Sequence, residues 1–524
     1  MSLGLFVAAQ ASAQETYLNA AISTEGLNGT ARYVGMGGAM DALGADLSTI
    51  SSNPAGIGLF RSSQAKVSFG VVSQEDAASF GGADKTTMSF DQAGFVYAMR
   101  TGKQSFLNVA LNYHKSTNFD QILSAASILN NASQNKLSYL KGANGVFSLA
   151  KSGDVILGYD GNSSSVSNLY NATDYIYYNA MLSQENKQTG RTDFFFNNAT
   201  GYAFDRGHTG YIGNYELNFS TNHSDRLYFG LTIGINDVHY NAYSQYTEHL
   251  VNSQNESVGS VTVTDDRHIT GTGFSIKAGA IVRPVADSPF RIGLSIASPT
   301  FYDLTSSNYT KLDNNSTVGS YDYGQQSSTY EFRLNTPWKF GLSAGTTFAN
   351  CLAIGAVYEY SDYGTLDTRI KDGGYEDWYG DYYVSSSSDK IMNTATKQTL
   401  KGVSTLKLGA EFRPDPSIAV RLGYNYVSPM YNKYAEKGTL VNTISNAYTS
   451  TTDYTNWKAT NRLTCGLGYT IDKFTVDLAY QYSMQKGTFY PFADYTSKDD
   501  SNCADGVDVK NNRHQVLLTL GYAF

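Results

Sequence analysis

Proline, cysteine, tryptophan and charge are all scarce in this 524-residue chain: 9 Pro, 3 Cys, 3 Trp and only 16% Asp, Glu, Lys and Arg. Soluble domains carry about a quarter charged residues, so an ordinary globular enzyme is disfavoured from the outset. No run approaches the roughly 18 apolar residues that a spanning helix needs. Three cysteines (Cys351, Cys465, Cys503) cannot form a closed disulfide framework, and Cys351 and Cys465 read as small packed hydrophobes. Basic residues (38) are outnumbered by acidic ones (46), and no basic stripe stands out, which excludes nucleic acid as a partner. The seven histidines, at 114, 208, 223, 239, 249, 268 and 514, are scattered, and none stands in a nucleophile motif such as G-x-S-x-G. No catalytic residue, metal site or cofactor is therefore assigned.

Aromatics and glycine are abundant, with 41 Tyr, 26 Phe and 49 Gly. A tyrosine-rich, charge-poor chain without a spanning helix can still cross a membrane as a closed β-barrel. Lipid-facing and lumen-facing residues then alternate, and average hydropathy stays low. The alternation is present. Val516, Leu518, Leu520, Tyr522 and Phe524 share one parity against Gln515, Leu517, Thr519, Gly521 and Ala523. Phe474, Val476, Leu478 and Tyr480 likewise oppose Thr475, Asp477, Ala479 and Gln481. Fourteen strands are predicted near 65–73, 87–100, 105–118, 206–221, 227–241, 268–284, 290–302, 327–348, 352–362, 400–414, 418–430, 459–471, 473–486 and 512–524. Short connections alternate with long polar ones at 119–205, 242–267, 303–326, 363–399, 431–458 and 487–511. That rhythm belongs to a barrel with short periplasmic turns and long extracellular loops.

Parity assigns the faces. Leu227, Phe229, Leu231, Ile233 and Ile235 point to lipid, as do Leu406, Leu408, Ala410 and Phe412, which turns Lys407, Glu411 and Arg413 inward. Arg421 and His114 are further lumen candidates. A charge at a lipid-facing midplane costs about 2–4 kcal/mol, so confinement of these charges to the inward parity is self-consistent. Pro299, Pro337 and Pro429 each remove a ladder donor and so end or bend a strand. An internal echo links Arg283-Pro284, Arg291, Gly293 and Ser298-Pro299 to Arg413-Pro414, Arg421, Gly423 and Ser428-Pro429 at a constant offset of 130. Shared turn chemistry accounts for its Arg and first Pro positions. Phe524, behind an alternating strand, has the form of the C-terminal signal read by barrel-assembly machinery.

Residues 3–9 are apolar and Ala11-Ser12-Ala13 supplies a small-x-small cleavage pattern, so 1–13 reads as the end of an export signal and Gln14 as the first mature residue. The first basic residue is Arg32, and the basic stretch that opens such signals is expected further upstream. Residues 14–64 do not alternate. They are rich in Gly and Ala over 30–47 and in turn residues over 48–60, as expected of a compact plug before a barrel spanning 65–524. A dinucleotide reading of Gly35-x-Gly37-Gly38 fails for want of a strand–turn–helix frame. Within the longest connection, helix is expected around 120–140.

The stretch Asn53-Pro54-Ala55-Gly56-Ile57-Gly58-Leu59 resembles the hatch motif of the FadL/TodX family of outer-membrane transporters for hydrophobic compounds. Gly35-Met36-Gly37-Gly38-Ala39, Asp46-x-Ser48-x-x-x-x-Asn53, Arg421-x-Gly423-Tyr424 with Pro429, and Thr336-Pro337 with Gly341 are similar to the family as well. The resemblance implies a 14-stranded barrel in the outer membrane with an N-terminal hatch. It implies passive uptake of fatty-acid-like or aromatic molecules through an apolar pocket beside the hatch, with Asn53, Pro54, Ala55 and Gly56 gating. Its partners would be a hydrophobic ligand, outer-membrane lipid and the assembly machinery, and the barrel would be a monomer. Two other readings compete: a haem receptor using His or Tyr as iron ligand, and an adhesive barrel acting through its polar loops.

Overall fold

The computed structural model describes residues 15–144, 146, 170–318, 323–349, 351–380, 382–438, 443, 448–497 and 500–524; the export-signal segment 1–13 lies outside the described residues. Fourteen antiparallel strands close into one transmembrane barrel. They are β1 (Gln64–Gln74), β2 (Thr86–Arg100), β3 (Phe106–Asn118, continued by Gln121–Ala132), β4 (Asn198–His223), β5 (Leu227–Val251), β6 (Ser257–Val282) and β7 (Arg291–Ala297 and Phe301–Ser316). The circuit continues with β8 (Tyr323–Asn335 and Lys339–Phe348), β9 (Leu352–Asp362, continued by Asp367–Glu376), β10 (Gly402–Asp415), β11 (Ile418–Val427), β12 (Tyr454–Ile471), β13 (Phe474–Tyr490) and β14 (Val507–Lys510 and Arg513–Ala523). Each pairs with its chain neighbour, and β14 returns to β1 in unbroken register from Gln64↔Ala523 to Gln74↔Arg513. Closure removes both sheet edges, the condition for a sheet to stand in hydrocarbon.

The alternation predicts the faces because neighbouring side chains leave a strand on opposite sides. On β5 the row Leu227, Phe229, Leu231, Ile233, Ile235 is 37–55% exposed on the outer surface, while Tyr228, Thr232 and Asn236 are buried inside. On β12 the outward row is Leu463, Cys465, Leu467. Cys465 is therefore an outward-facing thiol rather than a packed core residue, and all three cysteines are free. One rim carries tight turns, where Ser224, Asp225, Ala349 and Asp472 take positive φ. Phe524 ends at this rim, its N–H donating to Ser63 O at 2.9 Å and its ring edge-on to Phe95 and Tyr522.

The opposite rim differs from expectation. Strands β4, β5 and β6 have 26, 25 and 26 residues. At about 3.3 Å per residue they run on the order of 80 Å, where a tilted spanning strand needs only about 9–11 residues. Most of the expected loop 242–267 is thus strand, as is the first part of 119–205: Gln121–Ala132 is extended, and the helix expected over 120–140 begins only at Gln134. Beyond the hydrocarbon the outer face meets water and turns polar (Asp237, His239, Asn241, Gln245), so the apolar outer row that marks a spanning strand is lost while the ladder and the buried inner face continue. This extension has its own core. Tyr177, Tyr178, Leu250, Phe489 and Phe492 are buried around two helices (Gln134–Ala143 and Ala172–Ala180), which are tied by a Lys141–Asp174 ion pair.

Leu231 sits mid-row on the outer face. Leu231→Arg is expected to destabilise the barrel by about 2–4 kcal/mol, as read by denaturant unfolding in lipid vesicles.

Candidate functional site

The N-terminal segment enters the lumen and touches the wall around its whole circumference. It contains three helices, α1 (Thr16–Ser23), α2 (Ala31–Gly35) and α3 (Thr49–Ser52), then a 3₁₀ turn over Pro54–Leu59. Thr30 caps α2 by accepting from Tyr33 N–H at 3.1 Å, and its hydroxyl donates to Asp46 Oδ1 at 2.7 Å. The same carboxylate oxygen accepts from Ser48 N–H at 3.0 Å, which explains the Asp-x-Ser spacing. Asn53 is extended (φ −127°, ψ 99°), as a residue before proline prefers, and its Oδ1 accepts from Ala55 N–H at 3.2 Å. Pro54 then occupies the first helical position, where its missing N–H costs nothing. Asn53, Pro54, Ala55 and Gly56 are all buried.

Short helices leave carbonyls without intrahelical partners, and side chains from the wall satisfy several of those in the hatch. Thr232 Oγ1 donates to Ile50 O (3.0 Å), Ser220 Oγ to Pro54 O (2.8 Å), Asn108 Nδ2 to Ile57 O and Phe60 O (2.6 and 3.1 Å), and Thr464 Oγ1 to Gly35 O (3.2 Å). Close approach is possible because the facing wall residues lack side chains. A Cβ on Gly230 would strike Pro54, on Gly279 Asn53, on Gly355 Ala39, on Gly409 Met36 and on Gly423 Gly37. Gly293, Gly345 and Gly466 meet Asn53, Leu43 and Gly35 in the same way. The 130-residue echo gains a second meaning here, since Gly293 and Gly423 both face the hatch. Its serines also act alike: Ser298 Oγ accepts from Ile276 N–H (3.0 Å) and Ser428 Oγ from Ser404 N–H (2.9 Å) where their strands end.

Ion pairs pin the hatch as well. Arg32 binds Glu411 through two nitrogens (2.9 and 3.1 Å); Glu411 also holds Arg421 Nε (2.7 Å) and Arg413 Nε (3.1 Å), the latter reaching in from the rim. Arg421 Nη1 continues to Asp477 at 2.6 Å. Bidentate guanidinium–carboxylate pairing fixes orientation as well as charge. Lys407 lies against Gly38 and pairs with Glu359 at 2.6 Å. His114 joins Ser51 (3.2 Å) beside Glu216, which also holds Ser51 Oγ (2.7 Å) and Lys277 (3.1 Å). Burial raises the hatch carboxyl of Asp41 to about 6, with Ser52 Oγ donating to it at 2.6 Å. Asp46 is equally buried, yet Lys66 and Arg32 hold it below the usual carboxylate range.

The structure does not place the three prolines together. Pro299 and Pro337 sit in breaks of adjacent strands β7 and β8, bridged by Thr300 N–H to Thr336 Oγ1 (2.8 Å) and Thr336 N–H to Thr300 O (3.1 Å). Pro429 follows the end of β11 on the other side of β10.

Among the described residues the lumen holds cavities of about 130 Å³ beside the hatch and about 320 Å³ around α1, besides smaller ones. An apolar pocket beside the hatch was expected, but the inner cavity is lined by Glu25, Lys277, Lys339, Glu359, Lys407 and His114 among others. Inward parity carries the polar residues, so a lumen this narrow is charged wherever the hatch does not cover it. The wall glycines, by contrast, escaped notice individually. Their signal was glycine recurring at inward parity on successive strands.

A transmembrane barrel of fourteen strands with an N-terminal plug is thus defined by its own geometry. No family model matches the chain, and no curated protein matches it. Among solved structures it is similar to a Pseudomonas aeruginosa FadL homologue at 10% identity, covering 96% of this chain and 99% of the other with a TM-score of 0.50. It is also similar to the Ralstonia pickettii toluene transporter TbuX (12%, 95% and 99%, TM-score 0.48) and to the CymD monoaromatic hydrocarbon channel (11%, 96% and 99%, TM-score 0.48). The shared fold is that of a FadL-type barrel.

Gly355→Val is expected to leave the barrel folded but displace the hatch at Ala39, giving stepwise conductance in planar bilayers where the unaltered protein is quiet. Glu411→Gln leaves Arg32 and Arg421 short of a buried counter-charge, at a cost of roughly 3–5 kcal/mol. Faster hydrogen exchange over residues 30–47, with the strands unaffected, is the expected readout.

Proposed function

We propose that the chain is an outer-membrane conduit for passive uptake of hydrophobic small molecules, gated by its N-terminal hatch. The observation that carries this reading is the hatch itself: a small-residue segment lodged against the inner wall through backbone contacts and a few ion pairs. A porin-like open pore does not need such a segment, whereas a carrier of scarce, poorly water-soluble cargo does. Binding such cargo out of water is favoured by about 25 cal/mol per Å² of apolar surface buried. The hatch then has to yield locally, and its anchors are suited to that because they are short-range hydrogen bonds, ion pairs and several small apolar clusters rather than one continuous core. Asn53 and Pro54 are proposed as the stiff corner about which the segment shifts, and Phe524 as the address for barrel assembly. The similarity in fold to a FadL homologue supports the same reading.

The test is mass spectrometry of small molecules co-purifying with the barrel, paired with uptake of a labelled apolar probe into proteoliposomes. Enrichment of hydrophobic species and probe entry are expected for the unaltered protein, with entry changed roughly tenfold, equivalent to about 1.4 kcal/mol, in an Asn53→Ala/Pro54→Ala variant. A barrel that neither enriches nor admits any apolar species would overturn the proposal.

A further inference from the structure

The larger lumen cavity reverses the sign of the chain. The protein as a whole has a formal net charge of −8, yet cations outnumber acids in the lining of this cavity. Two of the cations are accounted for. Arg206 Nη1 lies 2.6 Å from Asp453, and Arg267 Nη1 lies 3.2 Å from Glu15. Of the other two acids, Asp265 accepts from Thr310 Oγ1 at 3.1 Å and Glu25 pairs with Lys339, which lies outside this lining.

Three further cations line the same cavity, and among the described residues none has a carboxylate within ion-pair distance. Arg462, on β12, donates to Asn425 Oδ1 at 2.8 Å. Arg513, at the start of the main segment of β14, donates to Asn511 Oδ1 at 2.9 Å. Lys437, in the connection between β11 and β12 and only 6% exposed, donates to Thr451 O (2.8 Å), Thr451 Oγ1 (3.0 Å) and Asp453 O (3.3 Å). Neutral acceptors orient a cation but do not neutralise it, and an uncompensated buried charge is costly. Burial pushes the Lys437 ammonium down to about 8, the direction expected where a counter-ion is missing. Two guanidiniums and one ammonium from three separate elements thus line one cavity without a paired carboxylate, and guanidinium forks suit carboxylate, sulfate and phosphate alike.

Most of the remaining lining is neutral and polar, and its large apolar members are aromatic apart from Leu18 and Met430. Tyr17 stacks on Tyr431 with centroids 5.0 Å apart and planes 15° apart, and leans on Tyr454 at 5.3 Å. Phe119 meets Tyr240 edge-on at 5.1 Å. Such surfaces favour flat rings, which stack on them, over flexible chains. Arg462 and Met430 line both this cavity and the inner one beside the hatch, so the site lies next to the space the hatch must vacate.

We infer that this cavity binds a ring-bearing anionic amphiphile, with its head group on Arg462, Arg513 and Lys437 and its rings among Tyr17, Phe119 and Tyr431. The inference rests on the uptake reading above and narrows it: the cargo carries a negative charge as well as apolar surface.

The experiment compares 2-naphthoate, 2-naphthol and laurate by calorimetric titration of the full-length barrel in nanodiscs at neutral pH. 2-Naphthoate is expected to bind tighter than 2-naphthol by about tenfold, with the gap shrinking as salt is raised. An Arg462→Gln/Arg513→Gln variant should bring the two ligands to within about twofold, while Arg462→Lys/Arg513→Lys keeps part of the preference. Lys433→Gln, a change at an exposed lysine on the same connection, should not alter it. Heat-modifiable electrophoretic mobility confirms that each variant is a folded barrel. Equal affinity for 2-naphthoate and 2-naphthol in the unaltered protein overturns the inference and leaves the uptake reading standing. Laurate binding as tightly as 2-naphthoate overturns the ring-bearing part. Failure to bind any of the three overturns both readings.

Discussion

Hydrocarbon offers a peptide group no hydrogen-bond partner, so every N–H and C=O at membrane depth must be paired within the wall. Closure of β14 onto β1 meets that demand, and most of the architecture follows from it. The outer row must be apolar, so the inner row receives whatever polar residues the strands carry. A lumen so constituted is wet and charged unless something fills it. The hatch is the filling, and it is subject to the same rule: its own short helices leave carbonyls that the wall's Asn108, Ser220, Thr232 and Thr464 satisfy. Backbone-to-wall approach requires absent side chains, hence the inward glycines of β5 to β12.

Electrostatics divides the lumen in two. Beside the hatch, Arg32, Glu411, Arg421 and Asp477 form a continuous chain of ion pairs from hatch to wall. Such a network fixes register as much as it stabilises, because each member has only one arrangement that satisfies all the others. Around α1, toward the long-loop rim, positive charge is left over. The plug is thus tied to the wall by paired charges below, while the cavity above it carries cations without paired carboxylates.

Strand number and the in/out assignment of individual residues were legible because alternation is imposed by lipid on one side and the lumen on the other. Leu227 to Ile235 and Val516 to Leu520 show it without interruption. Strand length was not legible, because β4, β5 and β6 continue past the bilayer, where the outer row turns polar and no longer carries the lipid-facing pattern. The helix expected over 120–140 failed because Gln121–Ala132, with apolar residues in both parities (Ile122, Leu123, Ala125, Ile128, Leu129), lacks the strict alternation of a spanning strand yet pairs with β4. Of the candidate site residues, Glu411, Arg421 and Lys407 declared themselves by parity, while their partners Arg32, Asp477 and Glu359 are remote in sequence and could not be matched to them.

By itself the sequence determined that this is a membrane-crossing β-barrel of about fourteen strands with a non-alternating N-terminal segment, since period-2 patterning and loop rhythm are local properties. Tertiary structure alone decided how that segment seals the lumen, because glycines on eight successive strands, β5 to β12, become one surface only when the sheet closes. It also decided that Lys437, Arg462 and Arg513 share a cavity in which, among the described residues, no carboxylate lies within ion-pair distance of them. Charge compensation depends on which side chains meet in space, and no spacing along the chain encodes that.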